Sequence, residues 1–207
     1  MIFSVSSSLS YNVITTTTFF FNIMASKSSS QRIVEESLLI TPAIPFEEFT
    51  TENSNARFIK LEAQNGTSFT ISYKAKLEVQ FTRIKEEDLL STIPFMQMDH
   101  EVLQYIAPSR HCESDKLMEF ALHKFGALPN AYAKALAIED WIFNNVKYST
   151  GSTNSSASAT DTVMRGVGAC KDAAHLGIAL CRALDIPARY FSSYACQLTP
   201  PDIHACF

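Results

Sequence analysis

The sequence predicts a protein of mixed α and β class, with strands gathered in its first half and helices in its second. Three observations predict this. Residues 69–81 alternate apolar and polar side chains without a break. An Asn65-Gly66 pair stands just before them. Residues 171–184 are apolar on almost every side of a helical projection.

The first 31 residues differ from the rest. Thirteen are Ser or Thr, no acidic residue precedes Glu35, and the first basic residue is Lys27. Phe19, Phe20, Phe21 and Ile23 form a short apolar cluster rather than a periodic face. A secretory signal needs a positive start and a longer apolar stretch, and neither is present. Residues 1–31 are therefore expected to be a disordered or spurious extension, with an organellar targeting segment as the alternative and Met24 as a second plausible start.

Residues 33–41 read as a strand, ended by Pro42 and Pro45. In 69–81, Phe69, Ile71, Tyr73, Ala75, Leu77, Val79 and Phe81 alternate with polar residues. Period two over that length is a half-buried strand. Ile59, Leu61 and Ala63 alternate in the same way upstream, and Asn-Gly suits a turn with positive φ at both central residues. A β-hairpin is predicted between the two runs. Residues 32–107 are thus expected to form a β-rich domain with no site of its own, and residues 108–207 the second domain.

Helices follow. Ser114-Asp115 is read as the start of one, with Leu117, Phe120, Ala121 and Leu128 as its apolar face and Gly126 as its stop. Residues 131–148 place Ala131, Ala135, Ile138, Ile142 and Val146 on one stripe, with Trp141 beside it as a core residue. Residues 149–160 are a polar loop. In 171–184 the all-round apolar character marks a central helix.

Cys170 stands at the start of that helix, after Gly166-Val167-Gly168-Ala169. The unpaired N–H groups and positive dipole end there favour thiolate over thiol, which a nucleophilic cysteine needs. Cys181 and Cys196 lack such a setting and read as small buried residues, and Cys112 as a loop thiol. A thiolate nucleophile needs a proton acceptor that later donates, usually His. His123 reads as a surface residue, and His100 and His111 sit in loops. His175 is about 140° round the helix from Cys170 and reads as packing. His204 follows Pro200-Pro201-Asp202-Ile203 and opens a short apolar strand, a workable position for a base facing a helix N-terminus.

Composition sets outer limits. The 207 residues carry a formal charge of −4, with 46% hydrophobic and 18% charged residues. That excludes a wholly disordered chain and argues against a nucleic-acid binder or a polybasic membrane anchor. No apolar run is long enough to span a bilayer. Five cysteines, an odd number with no C-x-x-C pair, read as reduced thiols, so a cytoplasmic location is expected. Cys112, Cys170, His204 and Cys206 are zinc-ligand types, but the paired spacing of structural zinc is missing, so neither metal nor cofactor is expected.

The blocks Gly166-Val167-Gly168-Ala169-Cys170-Lys171-Asp172-Ala173-Ala174-His175-Leu176, Leu180-Cys181-Arg182-Ala183-Leu184-Asp185-Ile186-Pro187-Ala188-Arg189-Tyr190, Tyr194 and His204-Ala205 resemble the transglutaminase-like superfamily, most closely its bacterial-type members. The likeness covers residues 32–207 and includes Pro108 to Cys112 and Trp141. It implies a papain-like α+β core, a buried helix against an antiparallel sheet, preceded by a small antiparallel β domain. It also implies a Cys-His-Asp triad with Cys170 as nucleophile and His204 as general base, acting through a thioester on carboxamides of a protein or peptide. Asp172 matches a family position outside the triad and would support the helix start. Asp185, Ser193 and Ala173 depart from residues usual in the family. The triad Asp belongs to a strand beyond His204, so the sequence reads as C-terminally truncated, with an incomplete sheet. Transferase, peptidase and a non-catalytic binding module or inactive fragment remain the competing expectations.

Overall fold

The structure is a computed structural model that describes residues 1–51, 55–90, 93–149, 151, 156–195 and 203–207. It divides into two compact units, Met1–Arg83 and Ile84–Phe207.

The first unit contains β1 (Ile2–Asn12), β2 (Thr17–Phe21), β3 (Gln31–Thr41), β4 (Phe46–Thr50), β5 (Arg57–Ala63) and β6 (Ser68–Val79). These form two three-stranded antiparallel sheets, β1-β6-β3 and β2-β5-β4. The alternation of β5 and β6 is as expected, with Ile59, Leu61, Ile71 and Tyr73 almost fully buried. Aromatic rings join the sheets: Tyr11 of β1 lies 5.2 Å from Phe19 of β2, and Phe19 lies 5.3 Å from Phe69 of β6.

Two expectations are corrected here. The predicted β-hairpin does not form. A turn at Asn65-Gly66 is present, but only Gly66 has the expected positive φ, +78°, and β5 and β6 are the central strands of different sheets. The turn pairs instead with Val13, whose N–H donates to Thr67 O and whose carbonyl accepts from Gly66 N–H. Nor are residues 1–31 an extension. They supply β1 and β2, the outer partners of β6 and β5, and Val13, Phe21, Ile23, Met24 and Ala25 are buried. Ser4, Ser6, Ser8 and Ser10 take the outward positions of β1, where Ser8 and Ser10 bond across to Ser72 and Thr70 at 3.1 and 2.9 Å. The serines are the polar half of a period-two strand, and cross-strand hydroxyl pairs stabilise it.

A buried cation ties the two sheets together. Arg57 of β5 donates two bonds to Glu36 of β3 at 2.8 and 3.1 Å, and one to Glu48 of β4 at 2.8 Å. Tyr73 of β6 donates to the same Glu36 and accepts from Ala25 N–H. Burial pushes the Tyr73 phenol up to about 12. The Arg57 hydrogen bond holds Glu36 below the ordinary carboxylate range.

The second unit holds α1 (Glu86–Leu89), a 3-10 turn (Phe95–Gln97), α2 (His100–Leu103), α3 (Met118–Phe125), α4 (Ala131–Asn145), β7 (Lys147–Tyr148), α5 (Ala159–Arg165), β8 (Val167–Gly168), α6 (Cys170–Arg182), β9 (Phe191–Tyr194) and β10 (Ile203–Cys206). α3 starts later than expected: Ser114 is buried in a turn, and the helix begins after Leu117 with no side-chain cap. Asn130 caps α4 through Ala133 N–H at 2.8 Å. Trp141 meets Phe120 edge-on at 5.1 Å, in the core as expected. α6 is the central helix. Leu176, Ile178, Ala179 and Leu180 are buried, and α3, α4, α5 and β10 pack around it. β9 and β10 form an antiparallel pair. Asp185, just past α6, has φ +59°. That left-handed conformation explains why Gly or Asn is usual at such a position.

The unit boundary also differs from the expected 107/108. Residues 84–107 join the second unit because Arg182 of α6 donates to Ala107 O at 2.8 Å and Ala188 N–H to Tyr105 O at 3.1 Å.

Glu36 has a lower folded than unfolded value, so its contribution to stability is present above pH 4.5 and is lost as pH falls through and below it. Arg57→Met is expected to cost the full chain about 3 kcal/mol in urea unfolding, the low end for a broken buried pair because both carboxylates reach solvent. It should also shrink the loss of stability on acidification. An unchanged midpoint would show that the cation is not a tie between the sheets.

Candidate functional site

The site is built around the start of α6. Ser158 caps α5 in a reciprocal arrangement with Asp161, and Gly166 ends that helix at φ +62°. The chain then runs through β8, parallel to β7, and turns into α6. Asp172 curls back over this turn: its Oδ2 accepts from Ala169 N–H at 2.8 Å, with the side chain almost fully buried. A carboxylate in the first turn satisfies an otherwise orphan donor and opposes the helix dipole. Gly168 makes room for it, since a Cβ there would stand 2.8 Å from Asp172 Cβ. Asp172 therefore supports the helix start, as expected.

Cys170 is the first residue of α6 and is half-exposed, with a free thiol. Its own N–H lies in the first turn, where no intrahelical acceptor exists. Cys181, deeper in the same helix, is buried, and burial pushes its thiol up to about 12. Cys112 is buried as well and shifted in the same direction by the same cause. Cys196 lies outside the described residues. Among the described residues no group of three or more His, Cys, Asp or Glu side chains could hold a metal ion. No described helix is long and apolar enough to cross a membrane.

His204 is half-buried on β10, opposite Ser193 of β9, and β10 packs on α6. The fold thus brings the strand that bears His204 to the helix that begins with Cys170. Just past that strand, the Phe207 ring occupies the place where a side chain at Gly177 would go. Asp202 lies outside the described residues. His123 and His100 are exposed at the end of α3 and the start of α2.

One grouping is not apparent from the sequence. His111 stacks on His175 of α6, ring centres 5.1 Å apart and planes 9° apart. His175 in turn meets Tyr190, 5.4 Å away. His111 Nδ1 lies 3.2 Å from Ala157 O, and its carbonyl accepts from Ala159 N–H. Burial, reinforced by His111, lowers the His175 imidazole from its ordinary value. Residues 64 positions apart meet here, and periodicity carries no signal for such a pair.

A family model for "Bacterial transglutaminase, N-terminal domain" matches residues 1–101, and one for "Transglutaminase-like superfamily" matches residues 120–207. No curated protein matches. Among solved structures, a "putative cysteine protease" from Cytophaga hutchinsonii is 46% identical with a TM-score of 0.94, covering 100% of this chain and 74% of that one. A "putative protease" from Parabacteroides distasonis is 15% identical over 98% of this chain and 38% of its own, with a TM-score of 0.36.

Asp172→Ala removes a charge-assisted cap and is expected to cost about 2 kcal/mol in urea unfolding. Wild-type stability in that variant would show that the start of α6 does not depend on the carboxylate.

Proposed function

The chain belongs to the transglutaminase-like superfamily, and on that premise we propose that it transfers or hydrolyses acyl groups through Cys170, with His204 as its proton shuttle. The family supports cysteine-based acyl transfer or hydrolysis in general terms. The observation that supports the residue assignment is that strand β10, which bears His204, packs on α6, the helix that Cys170 begins.

His204 takes the thiol proton, and the Cys170 sulfur adds to the carbonyl carbon of a carboxamide in a peptide or protein. The Cys170 N–H donates to the oxygen on which charge develops. Collapse of the intermediate breaks the C–N bond, and His204 returns the proton to the leaving amine. A thioester on Cys170 remains, to be resolved by water or by a second amine. The Cytophaga relative is described as a cysteine protease, which favours water as the acceptor.

Incubating the chain with glutamine-containing peptides and reading intact mass should reveal a thioester that Cys170→Ala eliminates, with turnover lowered about 10³-fold or more. Addition of a primary amine separates the outcomes: an acid product indicates hydrolysis, a conjugate transfer. Turnover retained in Cys170→Ala would overturn the assignment.

A further inference from the structure

We propose that the Tyr190 hydroxyl donates the side-chain hydrogen bond to the oxyanion formed when the Cys170 sulfur adds to a carbonyl; this rests on the acyl-transfer reading above. Tyr190 immediately precedes β9, the strand paired with the His204-bearing β10. Its ring meets α6, the helix that Cys170 begins, and β10 packs on the same helix. Its ring is braced by a stack rooted elsewhere in the fold: Tyr190 leans on His175 of α6 at 5.4 Å, and His175 stacks on His111 at 5.1 Å. His111 is itself tied to the segment before α5 through Ala157 O and Ala159 N–H.

The ring is thus positioned while its hydroxyl makes no hydrogen bond to any described residue, and Tyr190 keeps 45% of its surface. A braced aromatic with an uncommitted donor is what preorganised oxyanion stabilisation requires. Burial raises the phenol above its ordinary value, and Cys170, Cys206 and Asp172 add to that shift. The hydroxyl thereby remains a donor while the sulfur is anionic.

The step balances without transfer of the phenol proton. A sulfur lone pair forms the C–S bond, and the carbonyl π pair moves onto oxygen. Tyr190 O–H and Cys170 N–H hold that oxygen. When the C=O bond re-forms, the leaving group departs with the electron pair of its bond to carbon.

p-Nitrophenyl acetate tests this without knowledge of the natural substrate, because its leaving group departs as an anion. In the full chain, Tyr190→Phe keeps the ring on His175 and removes only the donor. It is expected to slow the Cys170-dependent release of p-nitrophenolate about 10²-fold. It should leave alkylation of Cys170 by iodoacetamide unchanged, since that displacement forms no oxyanion. Equal slowing of both reactions would mean that Tyr190 acts on the thiol or on folding, and would overturn the proposal. So would release at the wild-type rate. Absence of any Cys170-dependent release from the wild-type chain would defeat both this inference and the acyl-transfer reading, whereas release unaffected by Tyr190→Phe would defeat this inference alone.

Discussion

The hydrogen bond from Ala169 N–H to the buried Asp172 carboxylate fixes where the central helix begins, and the site depends on where it begins. It requires Gly168, because a side chain there would meet Asp172 Cβ at 2.8 Å. With that turn closed, Cys170 becomes the first residue of α6. Its thiol then lies at the positive end of a helix whose interior is packed by α3, α4, α5 and β10. The same helix carries a half-exposed thiol, Cys170, at its start and a buried one, Cys181, near its end, where burial pushes the thiol up to about 12.

The surroundings hold that helix from both ends. Arg182 in its last turn donates to Ala107 O and twice to Ala188 O, gathering the segment before α3 and the segment leading to β9. His175, midway, carries the stack that braces Tyr190. The first unit solves its packing separately. Two small sheets share an aromatic core, and a single buried arginine joins them through carboxylates on two strands, Glu36 of β3 and Glu48 of β4.

What could be read in advance follows the range of the interactions. The central helix, its Cys170 start, the strand at His204 and the alternation of β5 and β6 are local patterns, and each appears in the structure. The partner of a strand is not local. An Asn-Gly pair marks a turn but not its type: here only Gly66 takes a positive φ, and the flanking strands pair with β1 and β2. The resemblance to a family placed Cys170 and His204 in order along the chain, whereas the His111–His175 contact arises only on folding. In residues 1–31 composition hides the strand: serine at the outward positions of β1 masks an alternation that Val5, Leu9 and Tyr11 carry. At Asp185 the backbone angle, φ +59°, shows why Gly or Asn is the usual residue there.

Competition among the described cysteines for a limiting amount of iodoacetamide, read residue by residue by peptide mass spectrometry, tests the central claim most directly. Cys170 and Cys206 are both half-exposed, so access alone does not separate them. If the first turn of α6 favours the thiolate, Cys170 is alkylated well ahead of Cys206, with Cys112 and Cys181 last. Alkylation of Cys170 and Cys206 at the same rate would contradict the claim that the helix start makes Cys170 a nucleophile.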